Sequence, residues 1–315
     1  MAKVGRQEVL DAARRIDGAV RRTPLTVTAI GGAPVAVKWE NRQEGGAFKL
    51  RGASNRLLAM SEAERAGGVV AFSSGNHARG VAIAARRLGM TATIVMPSDA
   101  PQVKIDATRA EGAEIVLYDR RSESREEIAA RLAVEQGATL VPSFDDPYVV
   151  AGQGTVGLEL AVQAAEIGHE VRRILVCCGG GGLSAGIALA CPDAEIVTVE
   201  PEGWDDMARS YEAGDIVPVA DDAPDTLCDA LQTPRVSPIT FGILQERGAK
   251  GVAVSEEWVR AAVRYAHEAH GETVEPGGAV ALAALLSGVV EPRAGDVAIV
   301  SGGNVDPALH ARLVA

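Results

Sequence analysis

Four consecutive glycines, Gly179 to Gly182, follow an apolar strand-like run, Ile174 to Cys178, and precede a small-residue helical pattern, Leu183 to Ala190. Glycine lets a backbone turn sharply and leaves its N–H groups unobstructed. A strand, a glycine loop and a helix N-terminus together form an anion cradle, usually for phosphate. Lys49 is a second candidate. It follows Gly45, Gly46, Ala47 and Phe48 and stands where a helix begins. With a lowered pKa it is an amine nucleophile; with an ordinary one it is a surface lysine. Ser73, Ser74, Gly75, Asn76 and His77 lie between a strand and a helix. Their hydroxyls, amide and N–H groups could hold a carboxylate, or a Ser or Asn there could simply cap the helix. His77 is either a general base or a structural histidine. Ser301, Gly302, Gly303 and Asn304 also follow a strand, where ligands bind in parallel sheets. Glu200 and Asp206 could give two carboxylates to a hard cation, or form a solvated acidic turn at a helix start.

The elements that must position these residues alternate along the chain. Short Val- and Ile-rich runs are expected as strands at Pro34–Lys38, Gly68–Phe72, Thr91–Val95, Glu114–Tyr118, Ile174–Cys178, Glu195–Val199 and Val297–Val300. Helical patterns fall between them, at His77–Leu88, Glu126–Gln136, Tyr148–Ile167 and Glu256–His270. This alternation predicts an α/β fold with parallel sheets flanked by helices. Asp146 followed by Pro147 is a helix start, so the Asp145–Asp146 pair is read as capping rather than catalytic. The 315 residues suffice for roughly two domains.

The composition narrows the function. A net charge of −11 with scattered Lys and Arg disfavours nucleic acid, and 3% aromatics leaves few platforms for stacking bases. The N-terminal residues lack a signal peptide's apolar core, and Gly277–Val290 is too short to span a bilayer, which takes about 20 residues. Cys177, Cys178, Cys191 and Cys228 lack metal-finger spacing and are read as buried hydrophobes. A reduced, cytoplasmic protein is expected.

The order of motifs resembles the fold-type II pyridoxal-phosphate enzymes, specifically the serine/threonine dehydratase and serine racemase family. The resemblance runs through Arg21–Leu25, Phe48–Ala53, Ser73–His77, Met96 to Lys104, Ala107–Arg109 and Ala151–Gly154. It continues through Gly179–Gly182, Val199–Pro201, Val274–Pro276 and Ser301–Asn304, nearly the whole length. Each motif is weak alone; their order and spacing are specific. The resemblance implies a two-domain fold like that of the tryptophan synthase β chain. Residues 53–144 would form a small mobile domain, and residues 1–52 with 145–315 a large cofactor-binding one. It implies that Lys49 carries pyridoxal 5′-phosphate as a Schiff base beside Phe48, that Gly179 to Gly182 hold its phosphate, and that Asn76 bonds its 3′ oxygen. Ser301 would meet the pyridine nitrogen, a neutral partner that suits elimination better than transamination. Ser73 to His77 would bind the substrate carboxylate.

The implied reaction is α,β-elimination from L-threonine, L-serine or a relative to give a 2-oxo acid and ammonia. Lys49 would take the Cα proton, and the cofactor phosphate would protonate the leaving hydroxyl. Ser74 matches the racemases' serine opposite the lysine, so a serine racemase is the alternative, with a 3-hydroxyaspartate dehydratase as another. Glu200, Asp206 and the Trp204 carbonyl match a racemase-like Mg²⁺ or Ca²⁺ site. A homodimer is implied, as is the lack of a C-terminal regulatory domain. Ala230 stands where the family usually has glycine, and Gln232 to Pro238 departs from the common sequence. Arg235 there could meet a second substrate carboxylate, or be a solvent-exposed arginine. A non-covalent nucleotide binder is disfavoured, because the glycine run lacks both G-x-G-x-x-G and Gly-Lys-Ser/Thr.

Overall fold

The structure is a computed structural model that describes residues 4–73, 75–100 and 102–315. Ser74, expected on the substrate side of the site, lies outside the described residues. The described strands are β1 (Leu25–Ile30), β2 (Ala33–Trp39), β3 (Val69–Phe72), β4 (Ala92–Pro97), β5 (Glu114–Tyr118), β6 (Thr139–Leu140), β7 (Arg173–Cys177), β8 (Glu195–Pro201), β9 (Lys250–Val254) and β10 (Asp296–Val300). They form two sheets. One has the order β1-β2-β10-β7-β8-β9, the other β5-β4-β3-β6. All pairings are parallel except the β1–β2 hairpin.

Burial explains the strand patterns. Every residue of β7 and of β10 is buried, as the continuous apolar runs Ile174–Cys178 and Val297–Val300 require of strands covered on both faces. Arg173 breaks the pattern at the start of β7. Its guanidinium donates twice to the Asp296 carboxylate at the start of β10, 2.9 and 2.7 Å away. In the smaller sheet, side chains alternate between two cores. Val69, Ala71, Ile94 and Met96 face one; Val70 and Val95 face the other. Helix Asn76–Arg87 packs on one face and helix Arg125–Gln136 on the other.

Three expected helices are present within a residue or two: Asn76–Arg87, Arg125–Gln136 and Pro147–Glu166; Glu256–His270 matches at both ends. The Asp146 side chain accepts a hydrogen bond from the Val149 N–H, so it does cap the helix that Pro147 opens. Strands β1, β6 and β9 have no counterpart among the expected runs. The β1–β2 turn is formed by Gly31 and Gly32 with φ of 58° and 80°, the double positive φ that a two-residue hairpin demands.

Helix Pro147–Glu166 touches two helices that matter for the site. A Cβ at Gly152 would lie 2.6 Å from Gly52 Cα, and one at Gly186 would lie 2.5 Å from Gly154 N. Backbone therefore meets backbone, without side chains between, on helix Lys49–Leu58 and on helix Gly182–Ala190. A buried charge cluster fixes the same contact. Arg51 donates to both oxygens of Glu40 at 2.8 Å and to both oxygens of Glu159 at 3.1 and 3.2 Å. Lys38 donates to Glu159, to the Thr23 carbonyl and to Gln163. Removing one member of such a cluster strands its partners in the interior. Arg51→Met is expected to lower stability by about 3–5 kcal/mol, read as a fall in the urea midpoint; a change below about 1 kcal/mol would show that Glu40 finds another partner.

Candidate active site

The carboxyl ends of the parallel strands deliver the candidate residues. Strand β7 ends at Cys177 and its neighbour β10 at Val300, so the glycine loop and Ser301 emerge side by side. The chain before Lys49 is stitched to the same edge: Ala47 bridges Gly302, and the Phe48 N–H donates to the Ser301 carbonyl at 3.1 Å. Strand β3 ends at Phe72, and the Ser73 loop leads into helix Asn76–Arg87. Ser73 Oγ accepts from the Gly75 N–H at 3.2 Å.

Lys49 is the first residue of its helix. Its Nζ donates to the Ser143 carbonyl at 3.2 Å and lies 5.1 Å from the centre of the Phe48 ring. Burial pushes its ammonium down to about 8 from the usual 10.5, against the opposing pull of Cys177 and Glu275. The surface-lysine alternative is thereby set aside: the side chain is partly buried and its amine is partly free at mildly alkaline pH.

The glycine loop is shaped by what surrounds it. Gly181 has φ +81° and is the N-cap of helix Gly182–Ala190. A Cβ at Gly180 would strike the Phe144 ring at 2.2 Å. Among the described residues the N–H groups of Gly179 to Gly182 meet no protein acceptor. Free donors at a helix N-terminus, on a backbone with no room for side chains, fit a phosphate group.

Asn76 sits in a chain of amides and carboxylate. Its Nδ2 donates to Glu275 Oε1 at 2.6 Å, and its Oδ1 accepts from Asn304 Nδ2 at 2.7 Å. Asn304 also donates to the Gly45 carbonyl. Glu275 is buried, and its carboxyl is pushed up to about 7 by burial and by Asp229, against Asn76, Lys104 and Lys49. Lys104, on helix Gln102–Ala110, pairs with Asp229 across the site. Ser301 is buried beside Cys177, whose thiol burial pushes up to about 11.

His77 is a structural histidine. Its ring is buried and Nε2 lies 2.9 Å from the Val141 carbonyl, an acceptor only, so Nε2 carries the proton. Burial and then Lys49 push its pKa down to about 3, too low for a general base at neutral pH. Arg235 is exposed. Sequence reasoning missed Glu275 as a site residue, although it lies in a quoted motif, and named Asn304 only as part of a strand-end loop, without its pairing to Asn76. An acid just before a helix-opening proline reads as an N-cap, and only the three-dimensional pairing with Asn76 reveals otherwise.

Glu200 and Asp206 lie apart from this cluster. Glu200 is fully buried, accepting from the Met207 and Ala208 N–H groups at 3.0 Å; Asp206 accepts from the Val236 N–H at 3.0 Å. Burial and then Asp206 raise the Glu200 carboxyl well above the usual range, and burial pushes Asp206 up to about 7. Two buried carboxyl groups that repel one another fit a divalent cation. Among the described residues no three or more His, Cys, Asp or Glu gather as a metal nest.

The free fraction of Lys49 sets a measurable pH dependence. In the chain freed of cofactor, reductive alkylation of Lys49 by a small aldehyde, followed by mass spectrometry of its peptide, is expected to rise with pH through a midpoint near 8. A midpoint at the usual 10.5 would overturn the burial argument.

Comparison with known proteins gives the family. The family described as pyridoxal-phosphate dependent enzyme matches residues 16–302. An L-threo-3-hydroxyaspartate ammonia-lyase from a Pseudomonas species is 44% identical over 98% of this chain and 97% of its own. A serine racemase from Schizosaccharomyces pombe is 39% identical over 95% and 94%. The crystal structure of a threonine deaminase from T.th. superposes with a TM-score of 0.89 at 41% identity, covering 95% of this chain and 98% of that one. The chain that brings Lys49, a glycine cradle and Ser301 to one sheet edge thus belongs to the pyridoxal-phosphate dependent enzymes, and its cofactor is pyridoxal 5′-phosphate.

Proposed function

We propose that the protein is an ammonia-lyase that converts a β-hydroxy amino acid to a 2-oxo acid and ammonia. The observation that carries this reading is the Lys49 amine, its pKa lowered to about 8, on the sheet edge that also presents Ser301 and the glycine loop. The printed activities of the similar proteins support the substrate class.

The bound cofactor supplies a conjugated ring that accepts the electron pair left at Cα when a proton departs. The chain's residues do the rest. Gly179 to Gly182 would hold the phosphate through their N–H groups, with Phe48 beside the Lys49 amine. Asn76 is fixed by Glu275 and Asn304, which leaves its second Nδ2 hydrogen for the cofactor's ring oxygen. The Ser301 hydroxyl, buried beside Cys177, would meet the ring nitrogen without adding charge. Ser73, Gly75, Asn76 and the His77 N–H receive the substrate carboxylate at a helix N-terminus; with its ring turned to Val141, His77 contributes only backbone. Lys49 removes the Cα proton, and its amine is available because burial has already weakened the ammonium. The β-hydroxyl would leave as water with a proton from the held phosphate group, and the freed enamine would tautomerise to an imine that adds water and releases ammonia and the 2-oxo acid.

The division into residues 1–52 with 145–315 and residues 53–144 belongs to this reading. The second segment carries the smaller sheet, and its closure would exclude water. A cytoplasmic homodimer is also part of it. Free cysteines support the compartment. Glu200, Asp206 and the Trp204 carbonyl would hold Mg²⁺ or Ca²⁺. Racemisation is the second reading, favoured by the identity to a serine racemase.

The test is a panel of L- and D-serine, threonine and threo-3-hydroxyaspartate, read for oxo acid and for chirality. Oxo acid from at least one L-substrate is expected, and none from Lys49→Ala. Wild-type turnover by Lys49→Ala would refute the mechanism, and accumulation of the opposite enantiomer without oxo acid would favour the racemase. For the cation, Mg²⁺ at 100 times its Kd is expected to add about 2.7 kcal/mol of stability. Asp206→Asn should abolish that gain, and a melting midpoint indifferent to Mg²⁺ and to chelator would dismiss the site.

A further inference from the structure

The glycine loop owes its shape to a residue sixty positions further along the chain. Thr240 is fully buried in helix Pro238–Glu246. Its Oγ1 donates to the Gly180 carbonyl at 2.8 Å. The hydroxyl has one hydrogen, and this is the shortest of its three candidate donations; the Ser237 carbonyl and the Ser237 hydroxyl oxygen are each 3.1 Å away. Oγ1 in turn accepts from the Ser237 N–H at 3.2 Å, closing the capping box of its helix. The rest of the side chain fills the space beside Gly181: a Cβ there would fall 2.9 Å from Thr240 Cβ and 3.0 Å from Oγ1. The Phe144 ring closes the loop against Gly180.

We infer that Thr240 is a positioning residue for the cofactor phosphate, an inference that rests on the glycine-cradle reading above. The peptide between Gly180 and Gly181 is trans. In a trans peptide the C=O and the N–H point in opposite directions. Holding the Gly180 carbonyl from the Thr240 side therefore turns the Gly181 N–H to the opposite side, where it meets no protein acceptor among the described residues. Without the hydroxyl, the carbonyl is free to rotate and the N–H loses its fixed aim. Thr240 acts through the backbone of Gly180.

The full chain freed of cofactor tests this with three probes: pyridoxal phosphate, inorganic phosphate and pyridoxal, which lacks the phosphate. Thr240→Val keeps the shape and removes the hydrogen bond. Its affinity for pyridoxal phosphate and for phosphate is expected to fall about tenfold, the order of one buried hydrogen bond. Pyridoxal binding is expected to stay within about twofold of wild type, because no phosphate contact is involved. Thr240→Ser should restore phosphate affinity. If Thr240→Val does not fold, Thr240→Ala takes its place. Unchanged phosphate affinity would overturn the inference, and so would an equal loss for pyridoxal, which marks general damage. Failure of the wild-type chain to bind phosphate at all would instead remove the cradle reading on which it rests.

Discussion

The interior charge cluster of Lys38, Glu40, Arg51 and Glu159 is the constraint on which the arrangement of the site depends. Two cations and two carboxylates sit where water barely reaches: Arg51 is 1% exposed and Lys38 and Glu40 are not exposed at all. Burial lowers the Lys38 pKa despite its carboxylate neighbours. Burial also opposes charge on Glu159, but Arg51 and Lys38 outweigh it and hold that carboxyl below the ordinary range. The pairing is geometrically exacting, since Arg51 engages two carboxylates along both edges of its guanidinium. Such a cluster adds little net stability over an apolar one. What it does is forbid alternatives. Strand β2, helix Lys49–Leu58 and helix Pro147–Glu166 meet in one register, because any other leaves a charge unpaired.

Lys49 inherits its position from that register. It begins the helix whose third residue is Arg51, so the amine that must be aimed is one turn or less from the group that cannot move. Its low pKa then follows from location alone. The same helix placement puts Nζ near Ser143 and the Phe48 ring, and the neighbouring Glu275 opposes, without cancelling, the effect of burial.

Most of the fold was legible because buried parallel strands write themselves as continuous apolar runs. Strand β1 escaped: its Thr26 and Thr28 dilute the pattern on an edge strand, although Gly31–Gly32 signals the hairpin. Strand β9 is broken by Gly251, and β6 has two residues. At the site, Lys49, Asn76, Ser301 and the glycine run could be named because each belongs to a local motif. The roles of Glu275, Asn304 and Thr240 could not, because they are pairings between segments far apart in sequence. The charge cluster is the extreme case. Lys38 and Glu40 are charges at the end of a buried strand, an anomaly visible in the sequence, yet their partners lie 11 to 125 positions away.

The glycine contacts of helix Pro147–Glu166 carry a consequence for how such an enzyme can diversify. One helix supports both the Lys49 helix and the helix that follows the glycine loop, and does so backbone to backbone, so neither can drift without the other. The chemistry is thereby insulated from sequence change. Novelty in substrate is left to parts this helix does not brace, such as the stretch from Ala230 to Pro238, where Arg235 is exposed. The catalytic frame is a fixed chassis, and the rim around it is free to vary.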